Sequence, residues 1–347
     1  MKIPLILVTD PGKDPDDELT LILLKTFIEQ NLVDLKCITI DLYDSLLRAQ
    51  LTEGTLDVLG LFQVPIGIHI ATKPITMQSY ETTAPYLAVT SVYPRAETVL
   101  KQALEEAQDN SVTILVIAQM TSLSLFAYAY PDLFCKKVQN IVIMGGYANT
   151  NGEPLHDDIL LPDTSANVQY DALSANMLYS LLQSQWRKPI TFVTREAAYA
   201  CKFEATVLDA LAKTKHPVGI KVRDAAAQSI QHLWHRVNLE ADDPAREKLP
   251  ARCDRLWFIN TFCNGIGPNI SGSASIWPHI RSLNFYDPLA LIAAVPQTSL
   301  VHYTPTNVTR FGITHNVIGY NKENSGIKSV PNLRSAITKL LIGSLSD

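Results

Sequence analysis

Short apolar segments alternate with longer amphipathic segments along most of this chain. Residues 3–9 form an apolar run that ends in acidic residues, and apolar side chains then recur at helical spacing between residues 15 and 30. Strands that alternate with helices of about ten or more residues predict an open, mostly parallel, twisted α/β sheet with helices on both faces. Sheets of this kind bind their ligands beyond the carboxyl ends of the strands.

The alternation continues through most of the sequence. It predicts strands at 3–9, 35–40, 65–70, 112–118, 140–144 and 190–194, and helices at 15–30, 46–62, 96–107, from about 122, and at 172–183. Near the end of the chain it predicts a helix to residue 294, strands at 299–303 and 308–313, and a closing helix at 333–345.

Residues 214–270 interrupt this alternation. A helix is predicted from Val222 to Val237, and it is followed by a polar stretch and by an aromatic segment from Trp257 to Phe262. The segment has too little strand pattern to form a core of its own, so we predict a helical insertion over the sheet edge, placed as a lid would be. The prediction is therefore one domain spanning residues 1–347.

Composition excludes several classes of partner. With 47% hydrophobic and 18% charged residues the sequence is typical of a globular chain, and a net charge of −5 provides no basic field for nucleic acid. We find no apolar run of ~20 residues and no signal-peptide pattern, so no membrane partner is expected. Five cysteines without metal-binding spacing predict reduced thiols and a cytoplasmic protein.

A loop dense in acids follows the first predicted strand. Asp10 ends that strand, and Asp14, Asp16, Asp17 and Glu18 follow a Pro-Gly turn, so that five carboxylates lie within nine residues. Helix formation accounts for part of this pattern, because Asp is a favoured N-cap, Pro suits the first helical position, and acids complement the positive end of a helix.

Helix capping does not explain Asp10, which the Pro-Gly turn folds back toward the other acids. Carboxylates held this close repel each other, and a hard cation with oxygen ligands relieves the repulsion. Gly12 precedes the later acids, which excludes an EF-hand loop. A carboxylate in such a site can also act as the general base of a hydrolysis, a role worth ~10²–10⁴-fold in rate.

The residues Asp10-Pro11-Gly12, followed by Asp16-Asp17, resemble the N-terminal signature of the nucleoside hydrolases, in particular the calcium-dependent inosine-uridine-preferring group. That signature has one residue between the glycine and the aspartate pair, so Asp14-Pro15 looks like a two-residue insertion of a variant branch. The resemblance covers roughly residues 3–200 and 280–345, with further matching segments in order at 48–66, 112–122, 141–146, 165–171 and 286–290.

The resemblance implies a Rossmann-like α/β core and a Ca²⁺ ion that binds the 2′ and 3′ hydroxyls of a ribonucleoside. By position, Asp10, Asp17 and Asp287 would supply carboxylates to this ion, and Thr121 would supply its backbone carbonyl. Asp16 would deprotonate the water that attacks the N-glycosidic bond. Because of the insertion, Asp14 is an alternative base or a further contact to the ribose.

Other positions match the sugar-binding part of the family pattern. Asn167 matches an asparagine that contacts the sugar, and Met144, Ser165 and Tyr286 fall at substrate-binding positions. Several of the residues matched to the family also have a simpler interpretation. Thr121 can start a helix, Asp287-Pro288 can be an N-cap pair, and Asn167 can stabilise a turn. The ordered set of matches favours the family.

Three departures from the family pattern concern the substrate. Tyr286 stands where many members have a histidine, Ser165 stands where many have a glutamate on the 5′ side of the sugar, and the asparagine expected after the second strand is missing near Asp41.

A leaving base needs a proton, and His232 and His235 in the insertion, beside Trp234 and Trp257, are candidates for supplying it; they are equally typical of an exposed helix surface.

The sequence therefore predicts a calcium-dependent hydrolase that releases ribose and a free base, as a homodimer or homotetramer implied by the resemblance. One alternative is a non-catalytic ribose or nucleoside binder that retains the metal site. The other is a divalent-metal phosphohydrolase, against which stands the lack of a Gly-rich phosphate loop in the sequence.

Overall fold

A computed structural model of the chain describes residues 2–12, 14–70, 75, 77–148, 159–246, 249–267 and 269–346. Its strands are β1 (Ile3–Thr9), β2 (Val33–Ile40), β3 (Ile66–Ile68), β4 (Val112–Val116), β5 (Val138–Met144), β6 (Ile190–Val193), β7 (Phe203–Glu204), β8 (Ser282–Leu283), β9 (Thr306–Arg310) and β10 (Ile313–Ile318). Eight of them form one sheet in the order β3-β2-β1-β4-β5-β6-β10-β9, and β7 pairs with β8. Within the large sheet β9 is antiparallel to β10, and the other neighbouring strands run parallel.

Helices connect and cover these strands. They are α1 (Asp16–Glu29), α2 (Ser45–Val58), α3 (Ser79–Thr82), α4 (Ala96–Glu106), α5 (Thr121–Ala129), α6 (Pro131–Lys137), α7 (Ala166–Tyr170), α8 (Ala172–Leu181), α9 (Arg195–Ala200), α10 (Thr206–Lys213), α11 (Pro217–Val237), α12 (Arg255–Phe262), α13 (Tyr286–Ala294), α14 (Pro296–His302) and α15 (Val330–Ser344). A π-helical turn at Leu182–Trp186 and 3₁₀ turns at Pro244–Arg246 and Trp277–His279 complete the set.

The sheet has an apolar layer on each face, as the alternation of strands and helices predicts. Along β1, Leu5 and Leu7 point into one layer, and Ile6 and Val8 point into the other. All four side chains are fully buried. The predicted α/β sheet with helices on both faces is confirmed, and it places the ends of β1, β4 and β5 side by side.

The predicted strand at 299–303 is wrong. Residues 299–302 belong to α14, which has Pro296 at its first position. A short apolar run does not distinguish a strand from one or two turns of helix. The proline favours the helix here, because its fixed φ angle suits the first helical position. The predicted strand at 308–313 is instead a hairpin, because Phe311 and Gly312 have positive φ angles of 47° and 69° and turn the chain between β9 and β10.

The segment that interrupts the alternation is helical, as predicted. Its main helix, α11, begins earlier than predicted, at Pro217, and packs against α1, α2, α3 and α10. Residues 247 and 248 of the predicted polar stretch lie outside the described residues. Within the described ranges, no helix is both long enough and apolar enough to cross a bilayer.

Candidate active site

A cavity of about 430 Å³ opens where β1, β4 and β5 end. The residues that follow these strands, Asp10, Ile117 and Gly145, all line it. Helices α1 and α13 point their first turns into it, and α11 forms a side wall. The cavity thus lies at the carboxyl edge of the parallel strands, where the topology predicts a ligand.

Three carboxylates meet at the base of the cavity. Asp16, Asp17 and Asp287 each offer an oxygen, and these oxygens lie within 4.8 Å of one another. Their residues are 5%, 5% and 3% exposed, and Asp10, which is 9% exposed, lines the same cavity. The fold therefore brings Asp287 to acids that precede it by about 270 positions.

Local hydrogen bonds orient these acids. The Thr9 hydroxyl donates to Asp17 Oδ1 at 2.5 Å, and the Asp10 amide donates to the same oxygen at 3.1 Å. The Tyr286 amide donates to Asp16 Oδ2 at 3.2 Å. These bonds come from the strand end and from the N-terminus of α13, so the carboxylates are held before any ligand arrives.

The N-cap explanations of the acids do not match the structure. Helix α1 begins at Asp16 with Pro15, not Asp14, at its N-cap position. Helix α13 begins at Tyr286, so Asp287 lies inside the first turn and is not its cap. The acids do lie in first turns, where they complement the positive helix ends, but this preference does not require oxygens from two helices to meet within 4.8 Å.

Burial and mutual repulsion raise the pKa values of the cluster. Burial is the larger cause for Asp10, Asp16 and Asp287, whose pKa values lie well above the usual range, and neighbouring carboxylates raise them further. Burial also raises the pKa of Asp17 to about 7. A group of carboxylates that cannot all be ionised without a counter-charge is what a bound cation stabilises.

Asp287 supplies a direct test of whether a cation fits. Its Oδ1 is buried and has no hydrogen-bond partner among the described residues. A buried carboxylate oxygen without a donor is costly, and a cation satisfies it. The donor set consists of carboxylate oxygens, which suit a hard divalent cation such as Ca²⁺.

The backbone carbonyl expected from Thr121 lies elsewhere. Thr121 starts α5, its hydroxyl donates to Asp171 at 2.7 Å, and it is not among the residues that line the cavity. Ile117, directly after β4, lines the cavity instead, and its carbonyl accepts a bond of 2.9 Å from Asn167 Nδ2. Thr121 therefore starts a helix and does not line the cavity, whereas Ile117, at the end of β4, does.

The residues matched to substrate-binding positions all reach the cavity. Asn167 is nearly buried, and Ser165 Oγ is shielded from solvent with no hydrogen-bond partner among the described residues. An unpaired hydroxyl and a buried amide on one wall provide polar atoms for a ligand. The predicted residues lining the cavity are Asp14, Met144, Ser165, Asn167 and Tyr286.

Sequence reasoning missed an ion pair at the cavity rim. Arg195 Nη2 lies 3.4 Å from Asp163 Oδ2, and both residues line the cavity. Among the described lining residues Arg195 is the one cationic side chain. Its position two residues after the end of β6 was a signal that could have found it, because residues that follow parallel strands face this edge.

The two histidines of the insertion do not line the cavity. Helix α11 faces it with Ala226, Ser229, Ile230 and Leu233, and the described residues that line it include no histidine. His235 is exposed. Trp234 is fully buried, with its ring 5.0 Å from that of Phe258, so it packs in the core.

Asp41 stands near the place of the expected asparagine, after β2. Its Oδ2 accepts a bond of 2.8 Å from the Ser122 amide, and its own carbonyl accepts one of 2.6 Å from Gln119 Nε2. Burial raises the pKa of Asp41 to about 7. The residue holds the start of α5 and does not line the cavity.

Sequence comparison finds one family pattern over nearly the whole chain. Residues 5–317 match the model of the family described as inosine-uridine preferring nucleoside hydrolase. No curated protein sequence matches the chain.

Solved structures with the same fold include effectors and hydrolases. The type III effector protein XopQ complexed with adenosine diphosphate ribose aligns with a TM-score of 0.82 at 27% identity, over 99% of this chain and 95% of that one. A plant nucleoside hydrolase aligns with a TM-score of 0.62 at 17% identity over 100% and 99% of the two chains. The inosine-uridine preferring nucleoside hydrolase from Bacillus anthracis aligns with a TM-score of 0.60 at 13% identity, again over 100% and 99%. The last two show the fold alone.

Proposed function

The chain belongs to the family of inosine-uridine preferring nucleoside hydrolases, and on this premise we propose that it is a calcium-dependent hydrolase of the N-glycosidic bond of ribosides. The observation that carries the proposal is the cluster of buried carboxylates at the base of the cavity, with oxygens within 4.8 Å of one another.

We assign the ion to Asp10, Asp17 and Asp287, and we assign its backbone ligand to the carbonyl of Ile117. Bound there, Ca²⁺ would orient the sugar hydroxyls and favour the ionised form of the carboxylates. The unpaired Oδ1 of Asp287 supports this assignment, and Asp10 lines the same cavity; the oxygens within 4.8 Å of one another belong to Asp16, Asp17 and Asp287, so Asp16 is a further candidate ligand. We assign the sugar contact to Asn167, whose amide donates to the Ile117 carbonyl, because it lines the same cavity.

Asp16 is the proposed base. Its Oδ2 is oriented by the Tyr286 amide at 3.2 Å, and it lies beside Asp17 in the cluster. It takes the proton from a water molecule that attacks the anomeric carbon as the bond to the leaving nitrogen breaks, through an oxocarbenium-like transition state. Asp14 also lines the cavity and stays the alternative base.

The leaving group receives little acid assistance in this arrangement. Burial raises the pKa of Tyr286 above its usual range, so the phenol stays protonated and donates a hydrogen bond without releasing its proton readily. We therefore expect slow turnover of inosine and faster turnover of p-nitrophenyl riboside, whose leaving group needs little protonation.

A second candidate ligand class is a riboside with an anionic 5′ substituent. Arg195 adds a cation to the lining of the cavity. Ser165 also lines the cavity and stands where the family pattern often has a glutamate. The neighbour of 27% identity is an effector complexed with adenosine diphosphate ribose. These two observations favour binding of ADP-ribose-like molecules, with hydrolysis or without it.

One experiment separates these candidates. Inosine, uridine, p-nitrophenyl riboside and ADP-ribose are incubated with the protein, with and without a chelator, while the released base or p-nitrophenol, free ribose, and AMP with ribose 5-phosphate are measured and binding is followed by calorimetry. Calcium-dependent release of ribose from the nucleosides or the riboside, or of adenine from ADP-ribose, supports the hydrolase. Ligand binding without cleavage of any compound supports the non-catalytic binder, and cleavage of ADP-ribose to AMP and ribose 5-phosphate supports a phosphohydrolase.

We further propose a cytosolic homodimer or homotetramer. All five cysteines are free, which is compatible with a reducing compartment, and the resemblance to the family supports self-association. Sedimentation at micromolar concentration tests the second point, and a monomer there contradicts it.

A further inference from the structure

Four charged side chains are buried in one connected group beneath the acidic loop. The side chains of Arg48 and Glu81 are 0% and 2% exposed, with Nη2 3.1 Å from Oε2. Those of Lys221 and Glu18 are 4% and 1% exposed, with Nζ 2.6 Å from Oε1. Lys221 Nζ also donates to the Glu81 carbonyl at 3.2 Å, which joins the two pairs. The group, which we call the charge network, connects α1, α2, α3 and α11.

At one end, the charge network holds the backbone of the acidic loop. Arg48 Nη1 donates to the carbonyls of Asp10 and Pro11 at 2.9 and 2.8 Å. The approach is so close that a Cβ on Gly12, whose φ is +135°, would lie 2.8 Å from the Glu81 carbonyl oxygen. The arginine thus fixes the loop through its main chain and leaves the carboxylates to face the cavity.

At the other end, the charge network holds the helix that forms the cavity wall. Lys221 lies in the second turn of α11, and Ile230 and Leu233 of the same helix line the cavity. A helix rises about 1.5 Å per residue, so these positions are some 13–18 Å along one rigid element. A change in the position of Lys221 should therefore also shift Ile230 and Leu233, which line the cavity.

A buried ion pair suits a positioning role better than a stabilising one. Desolvation offsets most of its Coulomb energy, so an apolar pair of the same volume is often equally stable. Its hydrogen bonds are directional, however, and they form only when the two side chains have one relative orientation. Here that geometry relates α11 to Glu18, which directly follows the acids Asp16 and Asp17 on α1.

We propose that Lys221 is a positioning residue, which sets the separation between the α11 wall and the acidic cluster and so controls ligand affinity without touching the ligand. The inference rests on the proposed function only for the identity of the ligand used to test it. It assigns a role to a residue that does not line the cavity.

The test compares Lys221→Met, the charge-compensated double variant Lys221→Met/Glu18→Gln, and Lys221→Arg. The matched control is Arg223→Met on the same helix, which removes a partly exposed pair in which Arg223 Nε lies 3.2 Å from Asp209. The measurements are kcat and KM for p-nitrophenyl riboside, the Kd of ADP-ribose, the Kd of Ca²⁺, and amide exchange across residues 217–237. The double variant keeps the test open if the single variant, with its uncompensated glutamate, does not fold.

We expect the Met variants to raise KM or the ligand Kd about tenfold or more, since small misplacements in a binding site cost that much. Exchange in α11 should quicken, Ca²⁺ affinity should stay within about threefold, and Lys221→Arg should recover most of the ligand affinity because it keeps the charge. Arg223→Met should change none of these.

A folded double variant with wild-type ligand affinity and wild-type exchange overturns the proposal. So does an equal effect of Arg223→Met, because the helix would then depend on any of its ion pairs. If the wild-type protein releases no sugar, the proposed hydrolase function fails, while amide exchange and the ADP-ribose Kd still decide the role of Lys221.

Discussion

The backbone amide of Tyr286 donates a hydrogen bond of 3.2 Å to Oδ2 of Asp16, across a sequence separation of 270 residues. Asp16 begins α1 and Tyr286 begins α13, so the bond marks the point at which two helix N-termini meet. The positive ends of both helix dipoles are thereby directed at the acidic cluster. They offset part of the repulsion among its carboxylates, and protonation or a bound cation relieves the rest.

Asp287→Asn should weaken Ca²⁺ binding by about 100-fold or more, because it removes a charged ligand whose Oδ1 has no other described partner. Calorimetric titration of the metal-free protein measures the change. Asp34→Asn, in a surface pair with Lys36, is the control and should bind as the wild type does. Equal affinities for the Asp287 variant and the control would place the ion elsewhere.

Asp16→Asn should lower kcat by at least ~10² and leave ligand affinity within a few-fold, because it removes the base while keeping a similar shape. Steady-state kinetics on p-nitrophenyl riboside check this, together with a thermal melt that confirms folding. Asp14→Asn is the matched comparison in the same loop. A larger loss of kcat in the Asp14 variant assigns the base to the inserted residue.

Arg195→Gln should raise the Kd of ADP-ribose about tenfold, because it removes the cation from the cavity wall, while the affinity for inosine stays unchanged. Calorimetry with both ligands provides the comparison. Arg310→Gln removes an exposed arginine of β9 and should affect neither ligand. A parallel loss for inosine would show that Arg195 maintains the fold of the rim through Asp163 and does not select for charge.

Asp41→Asn should flatten the pH dependence of stability. Burial raises the pKa of Asp41 from 3.8 to about 7 in the folded chain. Between these values the folded chain holds more protons than the unfolded chain, so the free energy of unfolding falls as the pH rises. An asparagine cannot ionise and escapes this loss, which at ~1.4 kcal/mol per pKa unit should amount to roughly 2–3 kcal/mol between about pH 5 and about pH 8.

Urea unfolding of the wild type and of the Asp41 variant at about pH 5 and about pH 8 measures this difference. The Asp34→Asn control should follow the wild type, because its carboxylate is partly exposed. Parallel curves for all three proteins would mean that Asp41 ionises in the folded chain at little cost.

The sequence by itself predicts most of the individual strands and helices of this architecture. The period of apolar residues predicts β1, α1 and most later elements, since neighbours along the chain decide periodicity. The acidic loop points to a cation site because a run of carboxylates has few physical explanations, whereas Asp287 is joined to that site only by the resemblance to the family. Where local signals are weak, prediction fails: residues 299–302 have an apolar pattern too short to separate strand from helix, and they form α14.

Tertiary structure alone decided several members of the cavity lining. Ile117 lines the cavity and Thr121 does not, a difference of four residues that depends on where β4 stops and α5 begins. The pairings of Arg195 with Asp163 and of Lys221 with Glu18 join residues 32 and 203 positions apart. No local pattern encodes such contacts, because each partner is chosen by the packing of whole helices against the sheet and by the cost of leaving a buried charge unpaired.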